Sequence, residues 1–245
     1  MSRLAIPRVV KMPIEAQATD ALRDSIVGGA IQAGQRITEV EISEQMNLSR
    51  ATVRSALHQL AKEGLLTLVP YTGWRVVLLS AADVWELYTL RSAVERLAAQ
   101  LLAASIDGAG RERLAGALAA LTEACDGADG ARIAEADFSL HKTIIDLTRH
   151  GRLAGQYGLI EQQIRMCIRS SDALVAGGDT IVGQHRPIVE AILAGAVEEA
   201  GQLSEAHNLT EGRKLADHLG SLEALQPPPP EPAPAGKARR PRRAA

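Results

Sequence analysis

The sequence predicts a mainly α-helical protein, with an N-terminal winged helix-turn-helix followed by an antiparallel α-helical bundle. Ala and Leu are abundant whereas only 2% of the 245 residues are aromatic, and this composition favours helices over sheets. Strand-like patterns are confined to a short stretch near residues 65–79, which suits a wing. Six helical segments, separated by glycine-rich breaks near 105–110, 126–130, 150–152, 176–178 and 194–196, fill the chain from Ala81 to about Leu222, and they predict the bundle.

The net charge of −2 is distributed unevenly along the chain. Residues 1–79 carry 9 Lys/Arg and 7 Asp/Glu, residues 80–225 carry 13 and 21, and residues 226–245 carry 5 and 1. The charges of these segments are therefore +2, −8 and +4, which add up to −2. We interpret them as two domains, 1–79 and 80–225, and a tail, 226–245, with separate partners. Ser80 and Asp83 resemble a capping box, which places the start of a new helix at the domain boundary.

The tail is rich in proline and ends in a basic cluster. Repeated prolines exclude regular helices and strands, so a disordered polyproline-like spacer is expected. One interpretation gives the tail a non-specific contact with phosphates. The alternative is a solvated and dispensable extension.

The number of cysteines and the hydropathy of the chain indicate where in the cell the protein is expected. Two cysteines, Cys125 and Cys167, provide no disulfide framework. Without a recognisable signal peptide, a cytoplasmic location is expected. No apolar run approaches the length needed to cross a bilayer, so no membrane partner is expected.

A helix-turn-helix is predicted in the first domain. The first helix is expected to include Ile31 and to end at the glycines between 28 and 34. Thr38 and Glu41 form a capping box for the second helix, and Ser49 is the predicted cap of the third. Two helices joined by a turn of a few residues follow the helix-turn-helix plan.

The third helix carries the candidate DNA contacts. Arg50 and Arg54 lie four residues apart on one face at its N-terminal end, beside Thr52. This end of a recognition helix reaches base edges, and Arg can bind guanine O6 and N7 bidentately. The strands "LLTLV" and "WRVVLL", with "PYTG" between them, predict a wing. The alternative for the arginines is an ordinary solvated face, but the combination of elements favours DNA binding.

Four residues in the second domain have the character of metal ligands. Asp137 and His141 are four apart on one helix, while His185 and His207 each lie in phase with the apolar residues of another helix. All four are therefore expected to point into the core, and one carboxylate with three imidazoles is a plausible ligand set. The alternative is a plain Asp–His hydrogen bond beside ordinary core histidines, and spacing alone leaves both interpretations open.

The segment "LRDSIVGGAIQAGQRITEVEISEQMNLSRATVRSALHQLAKEGLLTLVPYTGWRV" resembles the winged-helix domain of the GntR family of bacterial transcription regulators. The following "LYTLRSAVERLAA" resembles the opening of the FCD domain of the FadR-type subfamily. The resemblance covers about residues 15–220.

By this resemblance Arg36, Arg50 and Arg54 contact operator DNA, Thr52 supports them, and Gly73 lets the wing tip approach the minor groove. The chain departs from the family pattern at Ala51-Thr52, where Thr-Pro is common. It also has Tyr71-Thr72 in a wing that usually carries a basic residue.

The segments "DFSLH", "QHRPIVEAI" and "EAHNL" resemble the three metal-ligand segments of the FCD domain. The resemblance implies that Asp137, His141, His185 and His207 bind a divalent cation. Zinc, nickel, cobalt and manganese all suit such a set. His150 replaces a residue that is often Asn in the family, and it either tunes the pocket or caps a helix.

Three arginines are candidates for binding a small carboxylate effector beside the cation. Arg91 lies on the first helix of the bundle, and Arg165 and Arg169 lie on the fourth. Charge-assisted hydrogen bonds from these side chains would complete the site. The alternative is that they form salt bridges with Glu95, Glu161 or another neighbour.

The favoured function is a homodimeric, non-enzymatic transcription regulator, most often a repressor in this family, whose operator affinity responds to a small organic acid. One alternative is a metal-dependent enzyme on the bundle, tethered to DNA by the first domain. Such a hydrolase needs a general base near the metal-bound water, and His150 is the spare candidate. The other alternative is a constitutive DNA binder with a purely structural metal.

Overall fold

The computed structural model describes residues 12–127, 129–175 and 177–225. The predicted tail, 226–245, lies outside these residues. A winged helix-turn-helix is followed by an all-helical unit, as the composition predicts. The described elements before residue 80 are α1 (Ile14–Val27), β1 (Arg36–Ile37), α2 (Glu39–Met46), α3 (Arg50–Lys62), β2 (Leu66–Val69) and β3 (Gly73–Val76).

The helix-turn-helix begins where its caps predict. The Thr38 hydroxyl accepts the Glu41 backbone N–H, and the Glu41 carboxylate accepts the Thr38 N–H at 2.9 Å. The Ser49 hydroxyl accepts the Thr52 N–H at 3.1 Å and so starts α3. Satisfying these otherwise unpaired donors fixes where α2 and α3 begin, and therefore which residues open the recognition helix.

Two features of this half differ from the sequence prediction. The helix α1 ends at Val27, so Ile31 lies in the loop that follows rather than in the helix. The short strand β1 adds to the wing hairpin and gives an antiparallel sheet of order β1-β3-β2, with Arg36 opposite Arg75. A strand of two residues has too little alternation to be visible in a sequence.

Six helices in the described ranges beyond residue 80 confirm the predicted bundle, and the glycine-rich breaks fall at or close to the ends of these helices. Ser80 and Asp83 form the predicted capping box at the start of the first of them. The six helices are α4 (Ala81–Ser105), α5 (Gly108–Asp126), α6 (Gly130–Leu147), α7 (Gly151–Asp172), α8 (Gly178–Ala194) and α9 (Val197–Ala224).

The helices α4 and α9 pack closely along much of their length. A Cβ at Gly212 would overlap the side chain of Tyr88, so this close approach requires glycine. The approach brings α9 beside the buried face of α4, where Arg91 and Glu95 lie. The bundle therefore positions α9 against the interior polar groups that form the candidate site.

Each half of the chain has its own buried hydrophobic cluster. The helix α7 connects them, because Ile164 lies in the bundle core whereas Met166 packs against the core of the winged helix. Gln163 on the same helix donates from Nε2 to the carbonyl oxygen of Gly64 at 3.0 Å. In the described ranges, no helix is both long enough and apolar enough to cross a membrane.

Candidate metal centre and DNA-binding surface

The start of α3 presents two exposed arginines, as expected. The guanidinium of Arg54 donates from Nε and Nη2 to the carboxylate of Glu39, at 2.9 and 2.8 Å. This interaction lowers the pKa of Glu39, so the carboxylate stays ionised beside the recognition helix. The first residue of α2 therefore orients Arg54 while half of the Arg54 side chain stays exposed to solvent.

Thr52 and the wing residues have intramolecular roles in the structure. The Thr52 hydroxyl lies 2.9 Å from the Ser49 hydroxyl, within the N-terminal cap of α3. Arg36 donates from Nε to the carbonyl oxygen of Thr72 at 2.5 Å, which ties β1 to the wing turn. A Cβ at Gly73, where φ is 109°, would lie 2.9 Å from the carbonyl oxygen of Ile37. The sheet itself therefore requires glycine at this position.

The four candidate metal ligands come together inside the bundle. Asp137 and His141 project from α6, His185 from α8 and His207 from α9. The Nε2 atoms of His141 and His185 lie 3.0 Å apart. The Asp137 carboxylate lies 3.4 Å from Nε2 of His141 and 3.2 Å from Nε2 of His185. The ring of His207 is centred 4.4 Å from the ring of His185.

The three imidazoles are close enough to share one ion. Each offers one nitrogen, and these nitrogens lie within 4.8 Å of one another. His141 and His185 are each only 2% exposed, so water does not readily solvate their inward nitrogens. The cluster can therefore hold a metal ion, with Asp137 supplying an adjacent negative charge.

The outer nitrogens of two histidines are already occupied. Nδ1 of His141 lies 2.7 Å from Oε2 of Glu95, and Nδ1 of His185 lies 2.7 Å from the carbonyl oxygen of Ile181. Both partners are acceptors, so each Nδ1 carries a proton, and in the neutral form of either ring the Nε2 lone pair faces inward. Together with the Asp137 carboxylate, these nitrogens place several acceptor atoms around one point, an arrangement that fits a bound cation.

The three clustered histidines differ in how readily each accepts a proton. Burial lowers the pKa of His141 despite the neighbouring Glu95, and burial with the nearby histidines lowers the pKa of His207 well below its usual range. Burial also opposes charge on His185, but Asp137 outweighs it and raises the His185 pKa. The electrostatic potential at the centre of the cluster therefore favours a positive ion, either a proton or a metal ion.

Glu95 also belongs to this site, although the sequence indicated it only as one alternative salt-bridge partner for an arginine. Its buried carboxylate accepts four hydrogen bonds, at 2.7 to 3.1 Å, from Arg91 Nε, His141 Nδ1, Tyr157 Oη and Asn208 Nδ2. These donors come from four different helices. Burial raises its pKa, but Arg91 and His141 outweigh burial and lower the pKa well below its usual range. Glu95 therefore remains a carboxylate that orients His141.

Of the three candidate effector arginines, the structure brings Arg91 to the metal cluster. Arg91 lines a cavity of about 10 Å³ with Asp137, His185 and His207. Its Nη2 atom is buried, and among the described residues it has no hydrogen-bond partner. Asp172 lines the same cavity, and burial together with Asp137 raises its pKa to about 8.

Arg165 and Arg169 do not line this cavity. Arg165 donates to Glu135 at 2.7 Å and lies over the ring of Phe138, so it forms the alternative salt bridge, with a neighbour other than Glu95 or Glu161. Arg169 is exposed, and it lines a different cavity between the two halves of the chain. Helical periodicity predicts that both arginines lie on α7, but it does not predict which face of α7 meets Asp137.

His150, the spare candidate for a general base, caps a helix. Its Nδ1 accepts the backbone N–H of Leu153 at 3.1 Å at the start of α7. The same residue is exposed. The structure thus provides His150 with a local role at a helix end rather than a place among the clustered histidines.

Comparisons with known proteins agree with both halves of the fold. A profile of the bacterial regulatory proteins of the gntR family matches residues 14–76, and a profile of the FCD domain matches residues 86–210. The chain is 30% identical over 219 residues to the "Probable D-xylose utilization operon transcriptional repressor" of Paenarthrobacter nicotinovorans, a match covering 89% of this chain and 95% of that protein. It is 28% identical over 199 residues to the "Uncharacterized HTH-type transcriptional regulator YdhC" of Bacillus subtilis (strain 168), covering 80% and 88%.

Solved structures share the fold. E. coli McbR/YncC superposes with a TM-score of 0.72 at 16% identity, over 85% of this chain and 99% of that one. A transcriptional regulator GntR from Rhodococcus sp. RHA1 gives a TM-score of 0.69 at 24% identity, over 87% and 99%. At these identities the likeness concerns the arrangement of the helices and strands.

Proposed function

Because the chain belongs to the GntR family of bacterial regulatory proteins and carries an FCD domain, we propose that a metal-organised helical domain controls its affinity for operator DNA. The protein is a DNA-binding transcriptional regulator rather than an enzyme. The proposed division is a DNA-binding domain over 1–79 and a metal- and effector-binding domain over 80–225. Repression is the proposed direction, in line with the relative from Paenarthrobacter nicotinovorans.

The observation that carries the proposal is the convergence of acceptors at the centre of the bundle. With Nδ1 of His141 and of His185 bonded outward, their Nε2 lone pairs and the Asp137 carboxylate face one another. We assign Asp137, His141, His185 and His207 as ligands of one divalent cation. Imidazole and carboxylate donors suit zinc, nickel, cobalt and manganese. When bound, the ion would hold the three helices together and attract an anionic effector.

The proposed effector is a small organic acid. Arg91 provides a buried Nη2 without a partner in the described part of the chain, and this atom borders the same small cavity as Asp137 and His185. A carboxylate accepts charge-assisted hydrogen bonds from such a guanidinium. The cavity volume of about 10 Å³ is too small for an organic acid. Binding therefore requires the surrounding side chains and helices to move.

The helix α7 is the proposed route from this movement to the winged helix. Ser171 on α7 donates to Glu211 at 2.6 Å beside the small cavity. Between one and about two turns earlier on α7, Met166 and Gln163 contact the winged helix. A shift of α7 would therefore alter the pose of the recognition helix.

A homodimer and a two-part operator complete the proposal. A single recognition helix reads one half-site, and dimers of helix-turn-helix proteins read two half-sites related by symmetry. Arg50 and Arg54 are the proposed base contacts, with Arg36 and Gly73 at the wing and Thr52 in support. Changing the relative pose of two such domains changes how well both fit the operator at once.

The test is a thermal-shift screen of small organic acids against metal-loaded protein, followed by titration of DNA binding with any acid that stabilises it. Arg91→Lys keeps a charge beside Glu95 but removes the free Nη2 donor. This variant is expected to fold and bind metal yet to lose the stabilisation by acid. Arg96→Lys is the control: Arg96 lies on the same helix, half-buried and paired with Glu198 and Glu205 away from the cavity, and the variant should respond to acids like wild type.

Two results would separate this proposal from its alternatives. If acids stabilise Arg91→Lys as strongly as wild type, the effector does not bind at Arg91. If acids that stabilise the protein leave its operator affinity unchanged, the protein is a constitutive DNA binder and the metal is purely structural.

A further inference from the structure

A second and larger cavity lies between the winged helix and the bundle. Its volume is about 390 Å³, within the range of roughly 300–1,000 Å³ that is usual for small-molecule sites. The end of α1 contributes Val27, the connection between the halves contributes Leu78, and the bundle contributes Met166, Leu215 and Leu219. Its wall is therefore mostly apolar and belongs to both halves of the chain, a common place for ligand sites.

One cation interrupts this apolar wall. Arg169 lies in the last turn of α7, and its Nε is 4.0 Å from where a Cβ on Gly29 would be. Throughout the described ranges, Arg169 forms no ion pair, although the neighbouring Arg165 is paired with Glu135. Asp24 lines an adjoining cavity with Arg169, but in the described part of the chain the two side chains form no ion pair. The guanidinium is thus available to an anion placed at the mouth of the cavity.

An apolar side chain at the mouth of the same cavity is also exposed to solvent. Leu78 lines the cavity and is 69% exposed. Covering such a side chain gains free energy in proportion to the apolar area removed from water. A molecule that satisfies both features has an apolar body against Leu78 and Met166 and a negative group beside Arg169.

We propose that this interdomain cavity is a ligand site distinct from the metal centre and that it takes an amphipathic organic anion. The cavity already has room for such a molecule, whereas the space at the metal cluster is about 10 Å³. Because Val27 and Leu215 come from different halves of the chain, a ligand between them fixes the pose of the winged helix against the bundle. The regulator would then respond to two ligands, one in the interdomain cavity and one inside the bundle.

The test is isothermal titration calorimetry of the full-length, metal-loaded protein with phenylbutyrate and with its neutral counterpart phenylbutanol. Wild type should bind phenylbutyrate saturably at one site per chain. Arg169→Gln removes the charge and keeps a polar though shorter side chain, so phenylbutyrate should bind about tenfold or more weakly while phenylbutanol is little affected. Arg152→Gln is the matched control, an exposed arginine on the same helix, and should bind like wild type.

A blocking variant tests the location. Ala173→Phe places an aromatic ring in the cavity wall and should abolish binding of both compounds. Ser170→Phe, at another wall position, serves the same purpose if Ala173→Phe does not fold by circular dichroism. Absence of saturable binding to wild type would overturn the proposal. So would equal phenylbutyrate affinity in wild type and Arg169→Gln, or unchanged binding to a folded blocking variant.

Discussion

The Oε2 atom of Glu95 lies 2.7 Å from Nδ1 of His141, and this contact connects the first helix of the bundle to the proposed metal centre. The carboxylate is 2% exposed and also accepts hydrogen bonds from Arg91, Tyr157 and Asn208. It thereby holds the His141 ring in the tautomer whose Nε2 faces inward.

Glu95→Gln is expected to weaken metal binding by about 10–100-fold, because an amide no longer holds the His141 tautomer through a charged acceptor. Competition with a chromogenic chelator measures the affinity. Glu86→Gln, an exposed position on the same helix, is the control and should bind metal like wild type. Equal affinities in all three proteins would show that Glu95 does not position His141 as a metal ligand.

Arg54→Ala is expected to weaken operator binding by about 1–3 kcal/mol and to relax sequence choice at one position in each half-site. The reason is that Arg54 lies on the exposed face at the start of α3, where Glu39 orients it. Fluorescence anisotropy with operator and single-base variants measures both effects.

Lys62→Ala is the control for this experiment, because Lys62 is exposed at the far end of the same helix. Its loss should change operator affinity little. Wild-type binding by Arg54→Ala together with failure of Lys62→Ala would mean that another part of α3 reads the DNA.

Glu63→Gln is expected to lower the free energy of unfolding by about 1 kcal/mol at neutral pH. Glu63 accepts two hydrogen bonds from Arg23, at 2.7 and 2.8 Å, which join the end of α3 to α1. Burial raises the pKa of Glu63, but Arg23 and Gln59 outweigh burial and lower it from 4.5.

A carboxyl with a lowered folded-state pKa stabilises the protein above its unfolded pKa, and this contribution disappears as the pH falls through the folded value. The difference between wild type and Glu63→Gln should therefore shrink on acidification below 4.5. Urea denaturation across this pH range measures it, and Glu44→Gln, an exposed position on α2, should show no such pattern. A pH-independent difference would argue against the ionised pair.

Deletion of residues 226–245 is expected to leave folding and operator sequence choice intact. The segment has a charge of +4, so at most the non-specific DNA affinity at low salt should fall. Binding assays on specific and random DNA at several salt concentrations measure this. A truncated protein that fails to fold or to dimerise would contradict the assignment of a dispensable tail.

Local signals in the sequence predicted much of the fold. The capping pairs Thr38–Glu41 and Ser80–Asp83 place helix starts correctly, because a cap is set by residues within one turn. The inward direction of Asp137, His141 and His185 follows from their phase with apolar neighbours, and all three are buried.

Relationships between distant segments were not predictable in the same way. Glu95 lies four residues after Arg91, so the sequence left their salt bridge open as one alternative, but the bond from Glu95 to His141 depends on how α4 meets α6. The same limit applies to Arg169, whose place at the cavity between the two halves depends on how α7 packs against α1. Periodicity assigns a face to a residue but not the helix that this face meets.

The central claim is that Asp137, His141, His185 and His207 share one divalent cation, and the most direct measurement is elemental analysis of the purified protein with melting curves in the presence and absence of chelator. Wild type should contain about one divalent ion per chain and melt at a lower temperature after chelation. His185→Ala should lose the ion and most of the chelator effect while retaining weak DNA binding. A wild-type protein that contains no metal, takes up none on reconstitution and melts unchanged with chelator would contradict the account.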